Sequence, residues 1–205
     1  MRIIASVLVV LIIVAAVFFF RSRRSTNSQP NTAIIHRAPQ FGIFNLKGDA
    51  ADPLIAEDTT ALEPVFGHAL QNTNVVPQCD VLFIYCDLDL NGRVLNFQDG
   101  LREIIRDSGA VIVAVASVNP GEAYVAYGRE SRDKNYGKAN LVMTTNRNGP
   151  HFASFFARLF ADMKTRGVTM PVAFVKLAPQ IPGGGDDPDV PGIIFSSEGG
   201  QVVFK

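Results

Sequence analysis

The sequence predicts an α/β protein with a mostly parallel sheet, helices on both faces and a C-terminal β-hairpin, preceded by one N-terminal transmembrane helix. Short apolar runs alternate with amphipathic segments from residue 81 onward, which is typical of βαβ units with right-handed crossovers. Near its end, two apolar runs flank a glycine pair and predict the hairpin. At its start, a long uncharged apolar stretch predicts the membrane span.

Four buried strands are predicted from runs of apolar and β-branched residues. They are VLFIYC (81–86), AVIVAVASV (110–118), LVMTT (141–145) and PVAFVKLA (171–178). The hairpin is predicted from IIFSS (193–197) and QVVF (201–204). The sheet is therefore Rossmann-like, and a ligand site is expected beyond the carboxyl ends of its strands.

Helical spacing of apolar residues predicts the elements between these strands. A helix is expected over residues 97–108 and ends at Gly109. Proline at the first position predicts another helix over 120–129. The strongest helical pattern covers 151–166. Its apolar stripe consists of Phe152, Phe155, Phe156, Leu159, Phe160 and Met163.

Two further segments are expected upstream of the α/β domain, which is assigned to residues 77–205. Residues 3–20 carry no charge and, at about 1.5 Å per residue, span nearly the whole ~30 Å hydrocarbon layer. The stretch ends in three phenylalanines, and arginines follow it, which favours an uncleaved anchor over a signal peptide for residues 1–24. The arginines predict a cytoplasmic body. The lipid bilayer is therefore the partner of this segment.

Residues 25–76 are interpreted as a tether and an irregular segment. Polar residues and two prolines up to about residue 40 predict an extended tether. FGIFNL (41–46) is expected to form a short strand. DTTALEPVFGHAL (58–70) is expected to form only one or two helical turns, because Pro64 and Gly67 interrupt it.

Composition disfavours nucleic acid as a partner. Nineteen basic and nineteen acidic residues leave no net charge.

Cys79 and Cys86 are placed on one strand, roughly 23 Å apart at about 3.3 Å per residue. This separation is too large for a disulfide. Free thiols are therefore expected, and they suit a reducing compartment such as the cytoplasm.

The acidic stretch DLDLNG (87–92) has three interpretations. It has the opening of a calcium loop, but Gln98 stands where the bidentate glutamate belongs, and a strand precedes it instead of a helix. Its Asn-Gly pair suits a type I′ turn, which would join 88–90 to 94–96 in a hairpin. The third interpretation is catalytic.

A strand that ends in Asp-x-Asp, then GLREIIRDSG (100–109) and VIVAVASVN (111–119), resembles the haloacid-dehalogenase-like phosphohydrolase superfamily over residues 81–119. The resemblance implies that Asp87 is the nucleophile, Asp89 the general acid/base and Ser117 the group that holds the phosphate. Mg²⁺ would offset the phosphate charge in such a site.

The family's remaining site residues have less obvious counterparts. Arg147 is the basic residue nearest to the position where the family usually has lysine. Asp186 is the third candidate metal ligand beside Asp87 and Asp89. It follows the fourth predicted strand by several residues in GGGDDPD (183–189), whereas the family's acids follow that strand closely. These departures favour a binding module over an enzyme.

The sequence offers two other candidate sites, a catalytic dyad and an anion-binding site. Cys86 and His151 could form a catalytic dyad at one edge of the sheet, although a buried structural cysteine is the simpler interpretation. Asn119 lies at a predicted helix start after a strand, where free N–H groups could bind an anionic ligand. Ordinary capping is the alternative role for Asn119.

The predicted function is that of a membrane-anchored α/β domain that binds an unidentified protein or small molecule at the carboxyl edge of its sheet. No cofactor is expected for that function. The alternative is a divergent phosphohydrolase or phosphotransferase that uses Asp87 and Asp89 with Mg²⁺.

Overall fold

The computed structural model describes residues 32–47, 53–72, 74–89, 93–95, 97–116, 140–143, 152–177, 193–196 and 201–205. The predicted anchor, the first part of the tether and the predicted helix over 120–129 lie outside these ranges. No helix within the described ranges combines the length and the apolar character needed to cross a bilayer.

Twelve elements make up the described fold. The strands are β1 (Thr32–Ile35), β2 (Phe41–Asn45), β3 (Leu70–Asn72), β4 (Val81–Tyr85), β5 (Ile112–Ala116), β6 (Asn140–Met143), β7 (Ile193–Ser196) and β8 (Gln201–Phe204). The helices are α1 (Pro53–Phe66), α2 (Leu101–Ser108), α3 (Phe152–Arg166) and α4 (Met170–Leu177).

Six strands form the main sheet in the order β3-β2-β4-β5-β6-β7. The first five of these run parallel, and β7 pairs antiparallel with β6 at one edge. Helix α1 connects β2 to β3, and α2 connects β4 to β5, as parallel neighbours require. The prediction of an α/β fold with a mostly parallel sheet is confirmed.

Alternate residues of the central strands pack on opposite faces of the sheet. Phe83 of β4 packs with α1, α3 and α4 on one face. Leu82 and Ile84 pack with α2 on the other face. Because both faces are covered, these strands are apolar at every position rather than at every second one.

The two helices with the clearest sequence patterns are confirmed. Helix α3 begins at Phe152, and its predicted apolar stripe is fully buried. Helix α2 begins at Leu101, four residues later than predicted. It ends as predicted at Gly109, which adopts φ 64° and donates its N–H to the carbonyl of Arg106.

The prediction of a short helix before Gly67 is wrong, because α1 has 14 residues and contains Pro64. Proline removes a single backbone donor, and in the last turn that loss is small compared with the burial of Ile55, Leu62 and Phe66. Gly67, at φ 83°, donates its N–H to the carbonyl of Glu63 at 2.7 Å and ends the helix.

The prediction of a fourth strand at 171–178 is also wrong, because α4 covers residues 170–177. The segment is rich in β-branched residues, which favours a strand. Met170, Ala173 and Leu177 nevertheless lie at helical spacing and are buried, whereas Val172 and Val175 are exposed. Packing against the core therefore decided the helical state.

The predicted terminal hairpin is wrong as well, because β7 and β8 pair with different strands. β7 extends the edge of the main sheet beside β6, whereas β8 pairs in parallel with β1 in a separate two-stranded sheet. Val202 and Phe204 of β8 are buried in the core formed by α1, α3 and α4. A short apolar run can pair with any exposed strand edge that matches its pattern. The position of β8 next to β7 in the sequence therefore did not make β7 its partner.

The predicted domain boundary at residue 77 does not match the described elements. β2 lies within the main sheet between β3 and β4, and α1 covers one of its faces. The segment after about residue 40 is therefore part of the α/β fold rather than an irregular link to it.

Replacement of Phe83 by alanine tests the importance of the central core. The Phe83 ring is fully buried, and its centroid lies within 6.3 Å of those of Phe41, Phe152, Phe156 and Phe160. We expect Phe83→Ala to lower the free energy of unfolding by about 3–5 kcal/mol in denaturant titrations. Val175→Ala, at a residue that is 71% exposed, should change it by less than about 0.5 kcal/mol. Equal effects of the two substitutions would contradict this assignment of the core.

Candidate functional site

The candidate site lies where the order of strands changes direction. From β2 the chain passes through α1 to β3 on one side, and then continues to β4 on the other side of β2. At such a switch point the connections leave the carboxyl ends of two neighbouring strands in opposite directions. The crevice between them is where open α/β sheets bind ligands.

Lys47 and Asp87 meet across this crevice. Asn45, the last residue of β2, is buried, and its Oδ1 accepts the backbone N–H of Lys47 at 3.0 Å. This Asx turn directs the chain as it leaves the strand. Nζ of Lys47 lies 3.4 Å from Oδ1 of Asp87, and the two side chains are 28% and 50% exposed. A cation from one strand end and a carboxylate from the next therefore lie side by side at the switch point.

Hydrogen bonds between neighbouring elements fix the backbone next to this ion pair. Tyr85, the last residue of β4, donates its hydroxyl to Oδ2 of Asp58 on α1 at 2.6 Å, and both residues are fully buried. The N–H of Leu46 donates to the carbonyl of Tyr85 at 2.8 Å, which extends the pairing of β2 with β4. The carboxyl ends of β2 and β4 and the first half of α1 are thereby held together.

The acidic stretch after β4 folds back on itself. Leu88 forms a single antiparallel bridge with Val94. The N–H of Asp89 donates to the carbonyl of Arg93 at 2.9 Å, and Oδ1 of Asp89 accepts the N–H of Arg93 at 2.9 Å. The hairpin interpretation is therefore supported at these residues, whereas its tip, residues 90–92, lies outside the described ranges.

Asp87 and Asp89 consequently have different roles in the structure. Asp89 is engaged in the turn, and Asp87 is the more exposed carboxylate beside Lys47. In the part of the chain that the structure describes, no group of three His, Cys, Asp or Glu side chains is close enough to hold a metal ion. Residues 90–92 of the calcium-loop opening lie outside the described ranges, so the calcium interpretation stays a prediction from the sequence.

Several predicted site residues lie outside the described residues, so the structure does not test whether they converge on Asp87. They are Ser117, Asn119, Arg147, His151 and Asp186. Their roles remain predictions from the sequence.

Both cysteines are free, as predicted, and both are buried. Burial raises the pKa of the Cys86 thiol to about 12, and the charge of Asp87 adds to this effect. Burial likewise raises the pKa of Cys79 to about 12, with a further contribution from Asp80. A raised pKa favours the protonated thiol, whereas a Cys–His dyad requires the thiolate. His151, the other member of that dyad, lies outside the described residues.

Sequence reasoning missed half of this site. Asn45 was placed in a short strand, FGIFNL (41–46), inside a segment interpreted as irregular, Lys47 was given no role, and Tyr85 was treated only as part of a strand. The available signal was FGIF (41–44), an apolar run like that of β4, which is typical of a central strand. A second central strand would have indicated that Lys47 and Asp87 follow neighbouring strand ends.

Comparisons with known proteins found no match for this chain among family models, curated proteins or solved structures. The resemblance to the haloacid-dehalogenase-like superfamily therefore stays a prediction from short motifs. The assignment of the site depends on its geometry alone.

The low reactivity expected of Cys86 can be measured directly. With its pKa raised to about 12, the native thiol should react with iodoacetamide at neutral pH roughly 1,000-fold more slowly than an ordinary thiol, because its thiolate fraction is smaller by that factor. Peptide mass spectrometry should find Cys79 and Cys86 unmodified in the native protein and modified after unfolding. Leu95→Cys, at a residue that is 42% exposed, is the reactive control. Modification of native Cys86 at the rate of that control would show that the site is open to solvent.

Proposed function

We propose that this protein is a membrane-anchored α/β domain that binds a small molecule or a protein segment in the crevice between the carboxyl ends of β2 and β4. The observation that carries this proposal is the ion pair between Lys47 and Asp87, which joins two neighbouring strand ends at the switch point of the sheet. The membrane anchor at residues 3–20 and the cytoplasmic body are supported by the sequence pattern.

The chemistry of the crevice favours a ligand that carries both charges. An exposed ion pair contributes only ~0–1 kcal/mol to stability. Little free energy is therefore lost when the two side chains separate and each binds a group of the ligand instead. Asp87 would then bind an ammonium or guanidinium group, and Lys47 a carboxylate or phosphate. The hydrogen bonds of Asn45, Leu46 and Tyr85 hold the surrounding backbone in position before the ligand arrives.

Binding is favoured over catalysis because the carboxylates do not act as a pair. Asp89 uses Oδ1 to close its turn, whereas an acid/base partner for Asp87 would need to face the same ligand. The zero net charge of the chain gives no reason to expect nucleic acid as the ligand.

Phosphoryl transfer is the second candidate function, and one observation favours it. Lys47 is positioned beside Asp87 and could offset the charge of a phosphoryl group there, so it is a second candidate, besides Arg147, for the basic residue that the resemblance implies. The described residues do not form a full set of metal ligands. We therefore derive no catalytic step that passes through Mg²⁺.

Photocrosslinking distinguishes an occupied crevice from an empty one. We expect p-benzoylphenylalanine at position 95 of the full chain, expressed in a cellular membrane, to form a discrete adduct visible by intact mass or on a gel. Leu95 is 42% exposed, and its N–H donates to the carbonyl of Asp87 at 2.8 Å, so a crosslinker there lies beside the ion pair and leaves Lys47 and Asp87 in place. The same group at position 106, near the C-terminal end of α2 and the opposite edge of the sheet, should not form this adduct. Asp87→Lys combined with the position-95 crosslinker should abolish the adduct. Identical labelling at positions 95 and 106 would sink the proposal.

Thermal stability tests the second candidate. Mg²⁺ with beryllofluoride, a mimic of a phosphoryl group, should raise the melting temperature of a phosphotransferase through binding to the native state. Asp87→Asn should lose the increase, whereas Asp107→Asn on α2 should keep it. If the melting temperature of the wild type does not increase, phosphoryl transfer through Asp87 is ruled out. The photocrosslinking result then bears on ligand binding alone.

A further inference from the structure

A cavity of about 270 Å³ lies at the other end of the fold, away from the Lys47–Asp87 crevice. It is found where β1 and β8 end side by side, next to the last turn of α3. The N–H of Lys205 donates to the carbonyl of Ile35 at 3.0 Å and continues the pairing of these two strands. The lining residues are His36, Arg37, Ala38, Pro39, Lys164, Phe204 and Lys205.

The lining of this cavity is basic. Three of the lining residues are cationic, namely Arg37, Lys164 and Lys205, and His36 adds an imidazole ring. No acidic side chain is among the described residues that line it. The cavity therefore presents a positive potential to any ligand of suitable size.

Two of these cations are held in fixed positions. Arg37 donates from Nη1 and Nη2 to the two carboxylate oxygens of Asp80 at 2.5 and 2.9 Å, a bidentate pair. Lys164 donates from Nζ to the carbonyl of Val65 at 2.7 Å. An ammonium group has three donors, so this bond orients Lys164 and leaves donors for a ligand.

The rest of the cavity wall is apolar. Phe204 is 2% exposed, and Pro39 is also buried. A wall of this kind excludes water from one side of a bound group, and this strengthens its electrostatic contacts with the cations on the other side. A small anion attached to an organic group fits this combination better than a bare ion in solution.

We propose that this cavity binds the phosphate group of a small phosphate monoester. Such a group carries about −1.5 to −2 charges at neutral pH. The charge of Arg37 is largely balanced by Asp80, so Lys164 provides the principal positive charge for the phosphate. The volume lies just below the ~300–1,000 Å³ of typical ligand pockets, which suits a phosphate with a few carbon atoms and excludes a dinucleotide.

The phosphate monoester has two sources with the same chemistry. One is a soluble phosphorylated metabolite, and the other is a lipid headgroup, because the sequence predicts a membrane span at residues 3–20. Glycerol 3-phosphate and phosphatidic acid carry the same phosphate on glycerol and represent the two sources. Phosphate binding in this cavity does not depend on the proposed function, because Asp87 lies at the opposite edge of the sheet. Asp87→Asn should therefore leave the binding of both probes unchanged.

The test uses the full chain in phosphatidylcholine nanodiscs. Binding of glycerol 3-phosphate is measured by calorimetry, and binding of phosphatidic acid by microscale thermophoresis with lipid-containing nanodiscs. We expect Lys164→Gln to weaken binding roughly tenfold or more, because it removes a charge-assisted hydrogen bond. Lys164→Arg should keep most of the affinity. Lys176→Gln, a matched loss of an exposed lysine that does not line the cavity, should have no effect.

Saturable binding of either probe that depends on Lys164 supports the proposal, and the probe that binds identifies the source. Three results would overturn it. The first is no binding of either probe, and the second is an equal loss in Lys164→Gln and Lys176→Gln. The third is equal binding of glycerate or of phosphatidylglycerol, because these lack a phosphate monoester and report only negative charge.

Discussion

The complete burial of β4 is the constraint on which the rest of the structure depends. All of its residues, from Val81 to Tyr85, are at most 1% exposed. β2 and β5 occupy its two edges, and helices cover both of its faces. An unpaired charge in such a position would cost several kcal/mol, so the strand is apolar throughout, and charged groups are found only before and after it.

The two ends of β4 therefore differ in their chemistry. Asp80 precedes the strand and pairs with Arg37 beside the basic cavity, whereas Asp87 follows it and pairs with Lys47 at the switch-point crevice. At about 3.3 Å of rise per residue, the seven residues from Asp80 to Asp87 separate the two carboxylates by roughly 23 Å. The same buried strand thus positions two polar sites and keeps them apart.

The sequence predicted those parts of the fold whose pattern is long or unambiguous. The apolar stripe of α3 extends over three turns, and the runs of β4 and β5 are too apolar for an exposed strand. The acidic stretch was also predicted to be a turn, and Asp89 does close one. Shorter segments were less informative, because a run such as residues 171–178 fits a buried strand and one face of a short helix equally well.

What the sequence by itself determined is therefore the α/β class, the central strand and the position of Asp87 at its carboxyl end. These follow from local periodicity, which a single segment carries within itself. Only the tertiary structure decided that β8 pairs with β1, that residues 170–177 are helical, and that Lys47 lies beside Asp87. Such contacts join residues that are far apart in the sequence, and they are selected by burial in a shared core, which no local pattern records.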